Sequence, residues 1–289
     1  TRLDPRDWFF DGHFKNDPCM PGTLMFEATL QTLAFYMTGM GFTLDNDGYR
    51  FEPVTNERYK LRCRGQAIPK NKNLVYEVFV REVQDGPTPT VFADLLVTVD
   101  GLKAFHARRV GLRLVQDWPM TSMPKLLAGH VETKAVATVD GFPYDYKSLL
   151  SCAWGRPSEA FGPFYSRFDG PRRVPRLPGP PYHFMSRVTH LDGPIGGMKV
   201  GTKVEVEYDV PQDAWFFQEN GARVMPYSVL LEVALQPCGW LASYIGSALT
   251  TDEDLAFRNL DGKGRVLVDV IPTTGTIKTN VEITNISKV

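Results

Sequence analysis

Asp7-Trp-Phe-Phe-Asp-Gly-His13-Phe-Lys-Asn-Asp-Pro18-Cys-Met-Pro21-Gly22-Thr-Leu-Met-Phe-Glu27-Ala-Thr-Leu-Gln31 decides the reading of this chain. It places one histidine in a loop, a Pro-Gly step at a helix start, and one carboxylate inside an otherwise apolar helix. Pro21 suits the first helical turn, where its missing N–H would be unpaired anyway. The helix should run to about Gly39–Gly41, where glycines favour termination. Leu24, Met25, Phe26, Ala28, Leu30, Leu33, Ala34, Phe35 and Met37 cover nearly all its faces, which predicts burial all round. A carboxylate at Glu27 is therefore costly unless it is paired or used. Gln31, one turn on, shares its face and could hold it. The N–H of Gly22 lies at the positive helix end, a natural donor to a developing oxyanion, and glycine there lets a ligand approach the backbone closely.

A lone loop histidine is commonly structural, and a buried glutamate is commonly half of an ion pair. Here the spacing, the Pro-Gly step and the aromatic lead-in Trp8-Phe9-Phe10 occur together. The stretch resembles the signature of the bacterial β-hydroxyacyl-ACP dehydratase/isomerase family, with its His-Phe-x-x-Asp-Pro-x-Met-Pro-Gly core. That family carries its acid fourteen residues after the histidine, and Glu27 stands fourteen after His13. The resemblance implies dehydration of a (3R)-3-hydroxyacyl group on acyl carrier protein to the trans-2-enoyl thioester. His13 would take the α-proton, a helical carboxylate would protonate the departing hydroxyl, and Gly22 would bind the thioester oxygen. No metal or organic cofactor is expected, since the substrate comes on the phosphopantetheine of acyl carrier protein. The family includes bifunctional members, which leaves later isomerisation to a cis-3-enoyl product open, although its isomerising members carry Asp at the helical acid position where this chain has Glu27. Phe35, Tyr36 and Met37 are candidate walls for an acyl tunnel along the helix.

Composition narrows the class. Hydrophobic content of 43%, charged content of 22% and a net charge of −1 are those of an ordinary globular chain. They give no reason to expect nucleic acid or membrane as a partner. No run of about eighteen apolar residues suggests a membrane span. Cys19, Cys63, Cys152 and Cys238 form no Cys-x-x-Cys pair, which argues against zinc or a disulfide framework and fits a cytoplasmic setting. His106, His130, His183 and His190 read as structural or solvated.

After the first helix come strand-like runs at Tyr59–Cys63, Leu74–Glu82, Thr90–Val99 and Lys103–Val115, separated by Asp85-Gly86-Pro87 and Asp100-Gly101. A buried helix followed by an antiparallel meander is α+β, a sheet wrapped on one helix. This is the hot-dog fold that the resemblance implies. Residues 1–117 read as one hot-dog, 118–144 as a linker, and 145–289 as a second. Tyr146–Gly162 resembles the family's leading helix and Leu177–Val188 its first strand, with Gly170–Pro181 extended between them.

An internal repeat supports the second copy. Trp215-Phe-Phe217 echoes Trp8-Phe-Phe10, and Met225-Pro226, Glu232 and Gln236 echo Met20-Pro21, Glu27 and Gln31 at an offset of 205. Ile277, Thr279, Val281 and Ile283 alternate with polar residues as a later strand. The second copy departs from the motif where chemistry is concerned. Two residues are deleted, Gln218 or Asn220 stands in place of histidine, Tyr227 replaces the motif glycine, and Pro237 should kink the helix. The first copy lacks leading strands and the second lacks final ones, as if both ends were cut from a longer polypeptide. Tandem intact and degenerate hot-dogs of this kind resemble the dehydratase region of polyunsaturated fatty acid synthases and related polyketide synthases, which implies the other synthase domains as partners.

In the family, hot-dogs pair, and each site takes its histidine from one copy and its acid from the other. If the two copies pair internally, His13 meets Glu232; motif spacing alone gives Glu27 the slight preference. Two rival functions share the fold: a thioesterase using a helical carboxylate and water, and a non-catalytic docking or scaffold module.

Overall fold

In a computed structural model that describes residues 1–46, 49–116, 134–220 and 222–287, the aromatic lead-in forms α1 (Trp8–Gly12) and the Pro-Gly step opens α2 (Gly22–Gly39). Pro21 is the residue just outside that helix, extended at φ −55° and ψ 134°, and its carbonyl accepts from the N–H groups of Leu24 and Met25. The first sheet contains β1 (Tyr49–Pro53), β2 (Tyr59–Cys63), β3 (Leu74–Gln84), β4 (Thr90–Val99) and β5 (Leu102–Gln116). The four expected runs are all strands, and β1 is an addition. Every pairing is antiparallel, with β5 taking β1 along its last residues and β2 along its middle.

Helix α2 packs on β3, β4 and β5. Phe26, Leu33 and Met37 are fully buried, each contributing on the order of 1.5–3 kcal/mol of hydrophobic stabilisation. Burial is not all round, however. Gln31, Phe35 and Thr38 form an exposed strip, and Phe35 is 79% exposed.

The second half begins in the segment expected to be a linker, of which residues 118–133 lie outside the described residues. Residues 134–144 are no loose tether. The hairpin β6 (Thr138–Val139) and β7 (Phe142–Pro143) is tied to Val188, as Ala137 N–H donates to the Val188 carbonyl and Val188 N–H donates to the Tyr144 carbonyl. Next come α3 (Tyr146–Ala153), capped by the Asp145 carboxylate, and α4 (Pro157–Phe161). The expected strand over Leu177–Val188 starts late: β8 is Arg187–Asp192, and it pairs with β9 (Lys203–Asp209). The aromatic echo forms α5 (Trp215–Gln218), and α6 (Tyr227–Tyr244) is the second long helix.

Pro237 does not break α6. It cannot donate to the carbonyl of Val233, one turn back, but the Thr279 hydroxyl donates to that carbonyl at 3.3 Å instead. Thr279 lies on β11 (Thr276–Glu282), the strand that the alternation of Ile277 to Ile283 predicts. The stretch Tyr227–Leu249 is long and apolar enough to cross a bilayer, with a mean hydropathy of 1.2, yet 61% of its apolar window is buried inside the protein. It is a core helix.

Among the described residues one strand crosses between the halves. β10 (Asp261–Gly264) follows α6 in the chain but pairs with β2 and extends the first sheet, so that Lys263 faces Lys60 across the join. The two long helices lie against each other, and Trp8 meets Trp215 with ring centroids 5.9 Å apart. The two copies therefore pair internally.

Candidate active site

The halves exchange contacts reciprocally. Thr23, in the first turn of α2, donates its hydroxyl to Glu232 of α6 at 2.8 Å. Ser228, in the first turn of α6, donates to Glu27 of α2 at 3.1 Å. Both pairs are related by the same offset of 205. Each glutamate is also held by the glutamine one turn on, Gln236 to Glu232 at 3.2 Å and Gln31 to Glu27 at 3.3 Å. Two helices that start side by side and run antiparallel about a pseudo-two-fold axis must trade contacts in this way.

His13 lies in the loop between α1 and α2. Two hydrogen bonds close that loop: Cys19 N–H donates to the His13 carbonyl at 2.7 Å, and His13 Nδ1 lies 2.7 Å from the Cys19 carbonyl. A carbonyl only accepts, so Nδ1 carries the proton and Nε2 keeps its lone pair. The ring is 8% exposed, and burial pushes its pKa down to about 4, leaving it neutral near pH 7. The loop is braced from the second half. Gly179 N–H donates to the Gly12 carbonyl at 2.9 Å, an approach that leaves little room for a side chain at Gly12. Asp17 of the motif pairs with Arg258 at 2.8 Å.

His13, Gly22, Thr23 and Glu232 line one cavity of about 570 Å³. Tyr182 ties them together: its ring is 6.4 Å from that of His13, and its hydroxyl lies 2.8 Å from Thr23 Oγ1. With Thr23 donating to Glu232, the Tyr182 hydroxyl is the donor to Thr23. Glu232 is 5% exposed, and burial raises its pKa despite the hydrogen bonds from Thr23 and Gln236. Gln236 also grips the 182–184 segment, accepting from Phe184 N–H and donating to the Tyr182 carbonyl, both at 2.8 Å. Among the described residues nothing accepts from the N–H of Gly22, as expected in a first helical turn. A Cβ at Gly22 would sit 3.4 Å from Cys63 Sγ. Met20, Met25, Phe26, Leu61 and Phe105 supply apolar wall.

Glu27 and Gln31 are elsewhere. They line a second cavity of about 300 Å³ with Asn220, Met225 and Tyr227, and His13 does not reach it. Burial raises the pKa of Glu27 as well. The preference for Glu27 as the partner of His13 is thus corrected by the helix pairing, which turns Glu27 toward the copy whose motif has Asn220 in place of histidine. Between the two candidates for the histidine position, Asn220 is the equivalent. It stands 207 after His13, the offset that relates Trp215 to Trp8, and its side-chain N–H donates to the Val224 carbonyl at 3.0 Å. Val224 is the counterpart of Cys19, so Asn220 keeps the backbone bond of His13 without its basic nitrogen. Gln218 instead donates to the Asp213 carbonyl.

Phe35, Tyr36 and Met37 do not line the His13 cavity; Met37 is in the sheet-facing core and Phe35 faces outward. His183 is buried, with Nδ1 2.9 Å from the Pro178 carbonyl, His106 lies on β5, His190 on β8, and His130 lies outside the described residues. Among the described residues no three His, Cys, Asp or Glu side chains gather as a metal site needs. Sequence reasoning missed Thr23, Tyr182 and Arg258. A hydroxyl at the same repeat position in both copies, Thr23 and Ser228, was the available signal for the first; the other two arrive only through tertiary packing.

The FabA-like domain matches residues 1–108 and 177–289. The chain belongs to the FabA-like domain family. A polyunsaturated fatty acid synthase polypeptide of Thraustochytrium sp. (strain ATCC 26185 / S-3) is 24% identical, over 90% of this chain and 25% of that protein. The chain thus spans about a quarter of the length of that relative. Among solved structures it is similar to a MaoC-like dehydratase (TM-score 0.43, 11% identity, 94% of this chain and 76% of the other). It is also similar to the dehydratase domain from the CurH module of the curacin polyketide synthase (TM-score 0.41, 11% identity, 100% and 80%).

Proposed function

We propose that this chain removes water from a (3R)-3-hydroxyacyl group held on acyl carrier protein, forming the trans-2-enoyl thioester. The observation that carries the reading is that His13 and Glu232, from different halves, both line one cavity at the start of α2. The unprotonated Nε2 of His13 takes the C2 proton, the C2=C3 bond forms, and the C3 hydroxyl leaves as water with a proton from Glu232. The N–H of Gly22 stabilises the charge that develops on the thioester oxygen. Thr23 and Gln236 orient the Glu232 carboxyl, and Tyr182 orients Thr23. The thioester itself is the electron sink, so no cofactor enters the step.

Membership in the family and similarity to a fatty acid synthase polypeptide support acyl carrier protein and neighbouring synthase domains as partners. The four cysteines, all free, and the burial of α6 support a soluble, cytoplasmic setting. Product analysis tests the reaction. Incubation with 3-hydroxyacyl-ACP is expected to yield the enoyl thioester by mass spectrometry. Free acid as the product would make the chain a thioesterase, and unchanged substrate would make it a scaffold.

A further inference from the structure

We propose that Tyr227 and Leu230 form a partition that sets how long an acyl chain the His13 cavity admits; the inference rests on the dehydratase reading and concerns its substrate length. Among the described residues these two alone line both cavities. Tyr227 stands at the repeat position of Gly22, so the side chain that fills the helix start of the copy with the degenerate motif also walls off the intact half. Its ring is wedged edge-on to Phe26 (centroids 5.8 Å apart) and beside Tyr59 (5.7 Å). Its hydroxyl lies against Gly264, where any side chain would collide with it. The residue is 6% exposed, and no hydrogen-bond partner for that hydroxyl exists among the described residues. The ring, not the hydroxyl, is therefore what the position uses. Beyond the partition the second cavity offers apolar lining from Leu30, Leu112, Met225, Val266 and Val270, a surface that an alkyl chain could enter if the wall were removed.

The test is a ladder of S-alkyl pantetheine thioethers, which neither dehydrate nor hydrolyse, titrated by calorimetry into the full chain. Affinity should rise about fourfold for each further methylene that becomes buried, then stop rising at a break length. Tyr227→Ala is expected to move that break to longer chains, Leu230→Ala to do the same, and Tyr227→Phe to leave it in place. An unmoved break in a folded Tyr227→Ala or Leu230→Ala, by circular dichroism, overturns the partition. If Tyr227→Ala fails to fold, Leu230→Ala decides alone. Dehydration of 3-hydroxyacyl-ACP by the unmodified chain is measured in parallel. Turnover with an unmoved break defeats the partition only, whereas a moved break without turnover upholds the partition and defeats the assigned reaction.

Discussion

The two halves carry the same scaffold and differ at two positions that matter for chemistry. Each has an aromatic lead-in, a proline-capped helix, a glutamate held by a glutamine one turn on, and a hydroxyl that crosses to the other half's glutamate. His13 is answered by Asn220 and Gly22 by Tyr227. Asn220 retains a side-chain bond to the equivalent backbone carbonyl, across a loop two residues shorter. What the second half has lost is a basic nitrogen and an open helix start. The comparison separates the part of the motif that folds the loop from the part that can move a proton.

Making the intact half resemble its counterpart should have the largest effect. His13→Asn keeps a donor for the Cys19 carbonyl and removes the base, so turnover should fall by roughly 10²–10⁴-fold while the melting temperature changes little. Near-normal conversion of 3-hydroxyacyl-ACP by a folded variant would remove His13 from the mechanism.

Swapping the acids sharpens the contrast. Glu232→Gln should lower turnover by roughly 10²-fold or more, and Glu27→Gln by less than about threefold, because only Glu232 shares the cavity of His13. The reverse pattern in steady-state rates would mean that the halves open and re-pair during catalysis.

The pH profile tests the same pair at smaller amplitude. Burial lowers the His13 pKa to about 4, so the base stays unprotonated and the acid limb of kcat/KM should fall near pH 4 rather than near 6.5. Burial raises the Glu232 pKa, so this acid keeps its proton to higher pH than an ordinary carboxyl, and the rate should decline as pH rises through that raised value. An acid limb at the ordinary histidine pKa would show that the imidazole is solvated during turnover.

The smallest effect concerns the helices. Pro237 stands where α2 has Thr32, and Thr279 serves the carbonyl that the proline cannot. Thr279→Val should destabilise the fold by about 0.5–1.5 kcal/mol in chemical denaturation, with the change confined to stability. A neutral substitution would show that the carbonyl finds another donor.

The sequence alone determined the local chemistry: the loop histidine, the helix that Pro21 and Gly22 open, four strands with their turns, and a repeat that predicts two copies. These follow from short-range rules of alternation, capping and spacing. It also exposed the damage in the second copy, because lost residue types are visible without coordinates. Only the tertiary structure decided which glutamate lines the same cavity as His13. Both have the same local surroundings, and the choice arises from two helices packing about a pseudo-two-fold axis, far apart in sequence. The strand Asp261-Gly-Lys-Gly264 was illegible for a related reason. It has no apolar alternation of its own and is a strand because β2 offers it a backbone edge. Likewise Phe35 reads as core by composition but faces outward, since an apolar helix buries only the faces for which its neighbours supply a surface.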